Sequence, residues 1–148
     1  MIRSGAIEKK RLRELYRYRI LDTPPEPEFD GLCDLVRSLL GADAAVITFQ
    51  DADRSWCKAS AGRHVVSLPR STSVSEQAVI AGEAVVYEDL ADEPLFREHP
   101  LVQGETGMRA AVGVPIEVKK GLCIGAVVAL FDEPRQISIA DIENLLRL

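Results

Sequence analysis

Met108-Arg109-Ala110-Ala111-Val112-Gly113-Val114-Pro115-Ile116-Glu117-Val118, then Lys119-Lys120-Gly121, then Leu122-Cys123-Ile124-Gly125-Ala126-Val127-Val128-Ala129-Leu130-Phe131: this stretch decides the architecture. Two long apolar runs rich in β-branched residues flank a polar turn that ends in glycine. That is the pattern of an antiparallel hairpin made of two largely buried strands. The run from Leu122 to Phe131 is the longest apolar stretch of the chain. It has strand length and contains Gly125, whereas a membrane span needs about 20 apolar residues.

Working outward, Asp43 to Phe49 and Arg54 to Ala61 form a second hairpin around the turn residues Gln50-Asp51-Ala52-Asp53. Simple alternation places Trp56 and Lys58 on one face of it, Cys57 and Ala59 on the other. Ala84 to Glu88 adds a short strand. A first helix runs from Ile7 to about Arg19, with Leu12, Leu15 and Tyr16 on one stripe, until Leu21-Asp22-Thr23-Pro24-Pro25-Glu26-Pro27 breaks it. A second carries Phe29, Leu32, Cys33, Val36, Leu39 and Leu40 at helical spacing and stops at Gly41, in the place of a C-cap glycine. Ser73-Val74-Ser75-Glu76 is a capping box that opens a short helix ending at Gly82, and Ser138-Ile139-Ala140-Asp141 opens a last one. Asp89 to Glu105 is polar, holds Pro94 and Pro100, and is too long for an ordinary connector, so it reads as a lid. Hairpins with helices at both ends and one between them predict an α+β sandwich: a central antiparallel sheet flanked by helices.

At 148 residues the chain suits a single domain, and 47% hydrophobic with 28% charged residues is the mix of a globular protein. Met1 to Gly5 leads into charge and not into an apolar signal core. The three cysteines, Cys33, Cys57 and Cys123, are odd in number and far apart, which favours a reducing compartment. A cytoplasmic location is therefore expected. Residues 1–20 carry seven basic and two acidic groups, a net of +5; with −5 for the whole chain, the remainder carries −10. Leu12, Leu15 and Tyr16 interrupt the basic run at helical spacing. The expectation is an amphipathic helix packed on an acidic body or a partner helix, with no nucleic acid and no membrane span.

Five strings of residues, in order, resemble one family. Tyr18-Arg19-Ile20-Leu21-Asp22-Thr23-Pro24-Pro25-Glu26 with Phe29-Asp30-Gly31-Leu32 is similar to the N-terminal signature of a bacterial subgroup of GAF domains, common ahead of histidine kinases and diguanylate cyclases. Asp53 to Lys58 resembles that family's second strand. Asp89-Leu90-Ala91-Asp92 with Phe96 and Pro100 to Gly104 resembles its ligand-side loop. Arg109 to Ile116, then Ile124-Gly125 and Asp132-Glu133-Pro134-Arg135, resembles its closing hairpin. The resemblance implies one GAF domain over 1–148, with an N-terminal helix in 1–20 and the start of a signalling helix at 138–148. It also implies about six antiparallel strands, helices of the two termini on one face, and loops and a short helix roofing a small-molecule pocket on the other. Relatives often carry two aromatics after the arginine of the penultimate strand, where this chain has Ala110 and Ala111. No Cys-His pair is present for covalent bilin attachment, and the asparagine- and lysine-containing signature of cyclic-nucleotide-binding members is missing.

Catalytic motifs are absent from the sequence: there is no phosphate-binding loop and no Gly-x-Ser-x-Gly, and His64 and His99 stand apart from each other and from any Cys-x-x-Cys. No catalytic residue or metal site is therefore expected, and the motifs name no cofactor. Reduction of free methionine sulfoxide, performed by some proteins of the fold, needs a pocket thiolate and a resolving thiol; Cys57 and Cys123 sit in strand contexts that suggest packing. The ligand-binding candidates are Arg109, Ala111, Gln77, Trp56 and Asp89. Arg109 is suited to holding an anion bidentately, or to anchoring the lid through Asp89 or Glu105. Only one of Ala110 and Ala111 can face the pocket. The function expected is sensory, with an unidentified small molecule as ligand, a homodimer through the terminal helices as assembly, and an attached output domain. A ligand-free dimerisation module is the competing reading.

Overall fold

The computed structural model describes residues 5–62, 68–69, 73–103 and 107–146; His64 and Glu105 lie outside them. In chain order the elements are α1 (Gly5–Arg17), α2 (Pro27–Leu40), β1 (Ala44–Gln50), β2 (Arg54–Gly62), β3 (Leu68–Pro69), α3 (Val74–Ala81), β4 (Val85–Tyr87), α4 (Pro100–Gln103), β5 (Ala110–Lys119), β6 (Leu122–Phe131) and α5 (Ile139–Leu146). A 3-10 turn at Leu90–Asp92 and α4 give the lid some structure of its own. The strands form one six-stranded sheet in the order β3-β2-β1-β6-β5-β4, and every pairing is antiparallel.

Each sheet face has its own core. On the helical face, Ala45, Ile47, Phe49, Val112, Ala129 and Phe131 pack with Leu15 of α1, Cys33, Val36 and Leu40 of α2, and Leu145 of α5. On the opposite face, called here the loop face, Ala44, Val46, Ala111, Ala126, Val128 and Leu130 pack with Ala78 of α3, with Leu90, Phe96 and Val102 of the lid, and with Met108 just before β5. Ala110 thus faces the helices and Ala111 faces the lid.

Local chemistry sets the ends of the elements. Gly41, at φ 65°, takes the left-handed conformation that ends α2, and donates to that helix's last turn as a C-cap. Ser73 caps α3 by accepting from the Glu76 amide at 3.1 Å, an arrangement worth about 1 kcal/mol. Ser138 and Asp141 exchange hydrogen bonds of 3.2 and 3.0 Å at the start of α5. Gly125 is required by close packing: a Cβ there would lie 2.1 Å from the Thr48 carbonyl oxygen.

Strict alternation fails in β2. Ile47 pairs with Ala59 but Thr48 pairs with Cys57, so Lys58 is an extra, bulged residue. The bulge puts Cys57 against the loop-face core, while Trp56 and Ala59 belong to the helical face. Cys57 and Ala59 therefore lie on opposite faces, contrary to the expectation from simple alternation.

Candidate ligand site

The loop face is apolar at one end and polar at the other. At the polar end, β1 and β2 present Thr48, Gln50 and Ser55, and the start of α3 presents Ser73 and Ser75; all five are buried. Thr48 donates its hydroxyl to Ser75, and Ser55 donates to the side-chain amide oxygen Oε1 of Gln50. The Gln50 amide nitrogen donates to Ser73 Oγ and to Glu76 Oε1, each at 3.4 Å. Buried polar groups must be paired to avoid a cost of about 1–3 kcal/mol each, and here they pair with one another. Gln77 stands half-buried one residue beyond Glu76, and its side chain bonds to no described residue.

At the apolar end Ala111 is fully buried. Its cross-strand neighbour is Tyr87, whose ring meets Phe96 of the lid edge-on at a centroid distance of 5.1 Å. Tyr87 and Phe96 bring aromatic volume beside Ala111. Arg109 is engaged: its Nε and Nη2 donate to the two Asp89 carboxylate oxygens at 2.8 and 2.7 Å. The guanidinium holds the Asp89 carboxyl below the usual carboxylate range. Backbone bonds complete the latch, since Leu90 N–H donates to the Arg109 carbonyl and Arg109 N–H to that of Phe131. Of the two roles open to Arg109, the structure favours anchoring the lid.

The candidates do not converge on one spot. Ala111, Gln77 and the Arg109–Asp89 pair border the loop face, but Trp56 packs with the helical-face core. Its place in the candidate set is corrected by the β2 bulge and by the phase of the strand. Beside Trp56, the Lys58 side chain is entirely buried, and its Nζ reaches Glu26 Oε2 at 2.6 Å, Thr23 Oγ1 at 2.7 Å and the Pro24 carbonyl at 2.7 Å. The same ammonium lies 5.4 Å from the Phe29 ring centroid. Arg54 grips Asp22 bidentately at 2.9 and 2.7 Å. Thr23-Pro24-Pro25-Glu26 is therefore a clasp that binds the α1–α2 connector to β2. Arg135 acts similarly, donating to the last carbonyl of α2 at 2.6 Å and to Asp141 of α5 at 3.2 Å.

Two of the thiols have reasons to be unreactive. Burial pushes Cys33 up to about 12, and it raises Cys57 as well. Cys123 is buried too. Among the described residues, no three of His, Cys, Asp and Glu gather as metal ligands, and no helix is long and apolar enough to cross a membrane.

With this geometry in place, the comparisons with known proteins agree. The family model described as GAF domain matches residues 24–148. This chain belongs to the GAF family. Among curated proteins it is similar to a cyclic di-GMP phosphodiesterase of Pseudomonas aeruginosa, 28% identical over 133 residues. That match covers 87% of this chain but only 23% of the relative, so the chain spans about a quarter of the curated protein's length. Two GAF domains of phosphoenolpyruvate-protein phosphotransferases share the fold. The one from Coxiella burnetii has a TM-score of 0.70 at 18% identity, over 97% of this chain and 90% of that one. The one from Acinetobacter has 0.67 at 22% identity, over 97% and 87%. The free methionine-R-sulfoxide reductase of Neisseria meningitidis, solved with its substrate, reaches 0.66 at 19% identity, over 98% and 86%.

The α+β class and the central antiparallel sheet agree with the sequence-based expectation. In this GAF domain the strings that carry the family resemblance are largely clasps: Asp22 with Arg54, Thr23 to Glu26 with Lys58, Asp89 with Arg109, and Arg135 with α2 and α5. The polar cluster was missed. Its one visible signal was the run of small hydroxyl residues at the start of α3, which accounts for only two of its members.

Proposed function

We propose that this GAF domain is a non-catalytic sensory module that holds a small, hydrogen-bonding molecule against the polar end of its loop face. The observation that carries this reading is the buried set Thr48, Gln50, Ser55, Ser73 and Ser75 in a sheet face otherwise lined by apolar side chains. A pocket of this type needs a few placed polar groups on an apolar wall. Gln77 and the carboxylate of Glu76 stand beside that set as direct contacts, Ala111 lies at the opposite, apolar end of the same face, and Asp89 with Arg109 fastens the lid. Because Arg109 is already paired, neutral hydrogen bonding takes precedence over an anionic ligand.

The signal leaves through the terminal helices. α5 exposes Ile139 and Leu146, and α2 exposes Leu35 and Leu39, apolar surface that supports a homodimer. An attached domain supplies the output. The Pseudomonas relative supports cyclic-dinucleotide turnover; a histidine kinase is the alternative. The location is cytoplasmic. The raised thiols speak against sulfoxide reduction, which would need a thiolate. The close apolar packing of Ala111 with Phe96 and Met108 supports a second reading, a ligand-free dimerisation module.

Native mass spectrometry on the purified chain, with a thermal-shift screen of amino acids and nucleosides, separates the two readings. Sensing predicts a bound mass or a stabilising compound whose effect disappears in Gln50→Leu, with the far-ultraviolet circular dichroism unchanged. A protein with no adduct and no stabilising compound, yet dimeric in sedimentation, would establish the dimerisation module.

A further inference from the structure

The outer face of α1 carries a second feature, independent of the loop face. A shallow depression of about 690 Å³ is lined by Lys9, Leu12, Arg13, Tyr16, Arg17 and Arg19. Every charged group on its wall is a cation. Lys9, Arg13 and Arg19 make no ion pair with a described residue, and Arg17 shares Glu14, whose carboxylate also accepts from Lys119 at 2.8 Å. Arg19 has a φ of 50°, a left-handed conformation uncommon for a residue with a side chain, in the turn that ends α1. Tyr16 is half exposed, but its hydroxyl donates to Asp51 at 2.7 Å, so its ring is held in one orientation. Attraction to the carbonyl end of the helix accounts for Arg17 and Arg19. It does not reach Lys9 and Arg13, one to two turns further back.

From this arrangement we infer that the depression binds a nucleoside polyphosphate, its phosphates among Arg13, Arg19 and Lys9 and its base against Tyr16 and Leu12. Guanidinium forks suit closely spaced phosphate oxygens, and an oriented ring offers a stacking surface. The charge balance selects a compact ligand. Residues 21–148 carry −10, which repels an extended polyanion such as a bilayer or a nucleic acid. A compact ligand seated in the depression is governed by the local cations, because charges beyond about 8 Å are screened at physiological salt.

The test is calorimetric titration of the full chain with GTP, ATP and inorganic triphosphate at physiological salt, beside sedimentation with phosphatidylserine vesicles. Saturable nucleotide binding is expected, stronger than for triphosphate alone. Arg13→Gln and Arg19→Gln should each weaken it by about tenfold, and Lys120→Gln, at the exposed hairpin tip, should leave it unchanged. Absent binding, or binding indifferent to Arg13→Gln and Arg19→Gln, would overturn the inference. Vesicle binding without nucleotide binding would overturn it in favour of a lipid surface. Salt-sensitive self-association abolished by the same variants, without nucleotide binding, would assign the face to a second copy of the chain.

Discussion

At the β4–β5 end of the loop face, Ala111 lies in one apolar cluster with Phe96 and Met108 and beside Tyr87. At the β1–β2 end, Thr48, Gln50 and Ser55 meet the hydroxyls that open α3. The two ends share one sheet and the same lid-side layer, yet they are built on different physics. Apolar contact tolerates small shifts because it has no preferred direction, so the lid can close over Ala111 with the Arg109–Asp89 latch fixing its register. The hydrogen-bonded end has direction, and a displaced hydroxyl leaves its partner unpaired in a buried place. A ligand that competes for those bonds therefore acts where the structure is least forgiving.

The largest expected effect tests the claim that the apolar end is full. Ala111→Phe would force a ring into the layer that already holds Tyr87, Phe96 and Met108. Overpacking of this kind costs about 1–3 kcal/mol. Urea denaturation should place the loss toward the upper part of that range. A loss below about 0.5 kcal/mol would show that space remains over Ala111, and the comparison between the two ends would weaken.

Next comes the polar end. Gln50→Leu keeps most of the volume but leaves Ser55 and Ser73 without that amide, at a cost of about 1–2 kcal/mol for buried groups that lose a partner. The same variant should abolish any ligand-dependent rise in Tm. Unchanged stability would mean that the serines find other partners, and the polar end would then be solvating itself and not serving a ligand.

Much of the fold was legible because it rests on short-range chemistry. The β5–β6 hairpin, the Gly41 cap, the Ser73 capping box and the Ser138–Asp141 pair each lie within a few residues of chain. What could not be read depends on distant partners. Lys58 reaches the connector 34 residues away at Pro24, and the single extra residue at that position reverses the faces expected for Cys57 and Ala59. The same bulge, together with the strand's phase, removes Trp56 from the site. Ala111 was named as a pocket residue, and in the structure it is buried in an apolar cluster. The rings beside it, Tyr87 and Phe96, come from a neighbouring strand and from the lid, which local pattern does not connect. The polar cluster draws on β1, β2 and α3, and no one of these segments shows it alone.

The smallest effect concerns the latch at the apolar end. Arg109 depresses the Asp89 carboxyl below its ordinary value in the folded protein. A carboxyl with a lowered folded pKa contributes stability above its unfolded pKa, near 3.9, and loses it as pH falls through the lower folded value. Asp89→Asn removes the charge, while its side-chain oxygen can still accept from the Ala91 amide. The variant should therefore be slightly less stable than the parent at pH 7, and this difference should shrink between about pH 5 and pH 3. Glu14, Asp22 and Asp51 are lowered as well, so both proteins lose stability in acid, and only the difference between them reports on Asp89. The pair is partly exposed, so the effect is small and should weaken further in high salt. Paired Tm measurements across that pH range decide the matter. A difference that stays constant with pH would mean that the carboxylate acts through its 3-10 turn cap alone and that the guanidinium adds nothing to holding the lid.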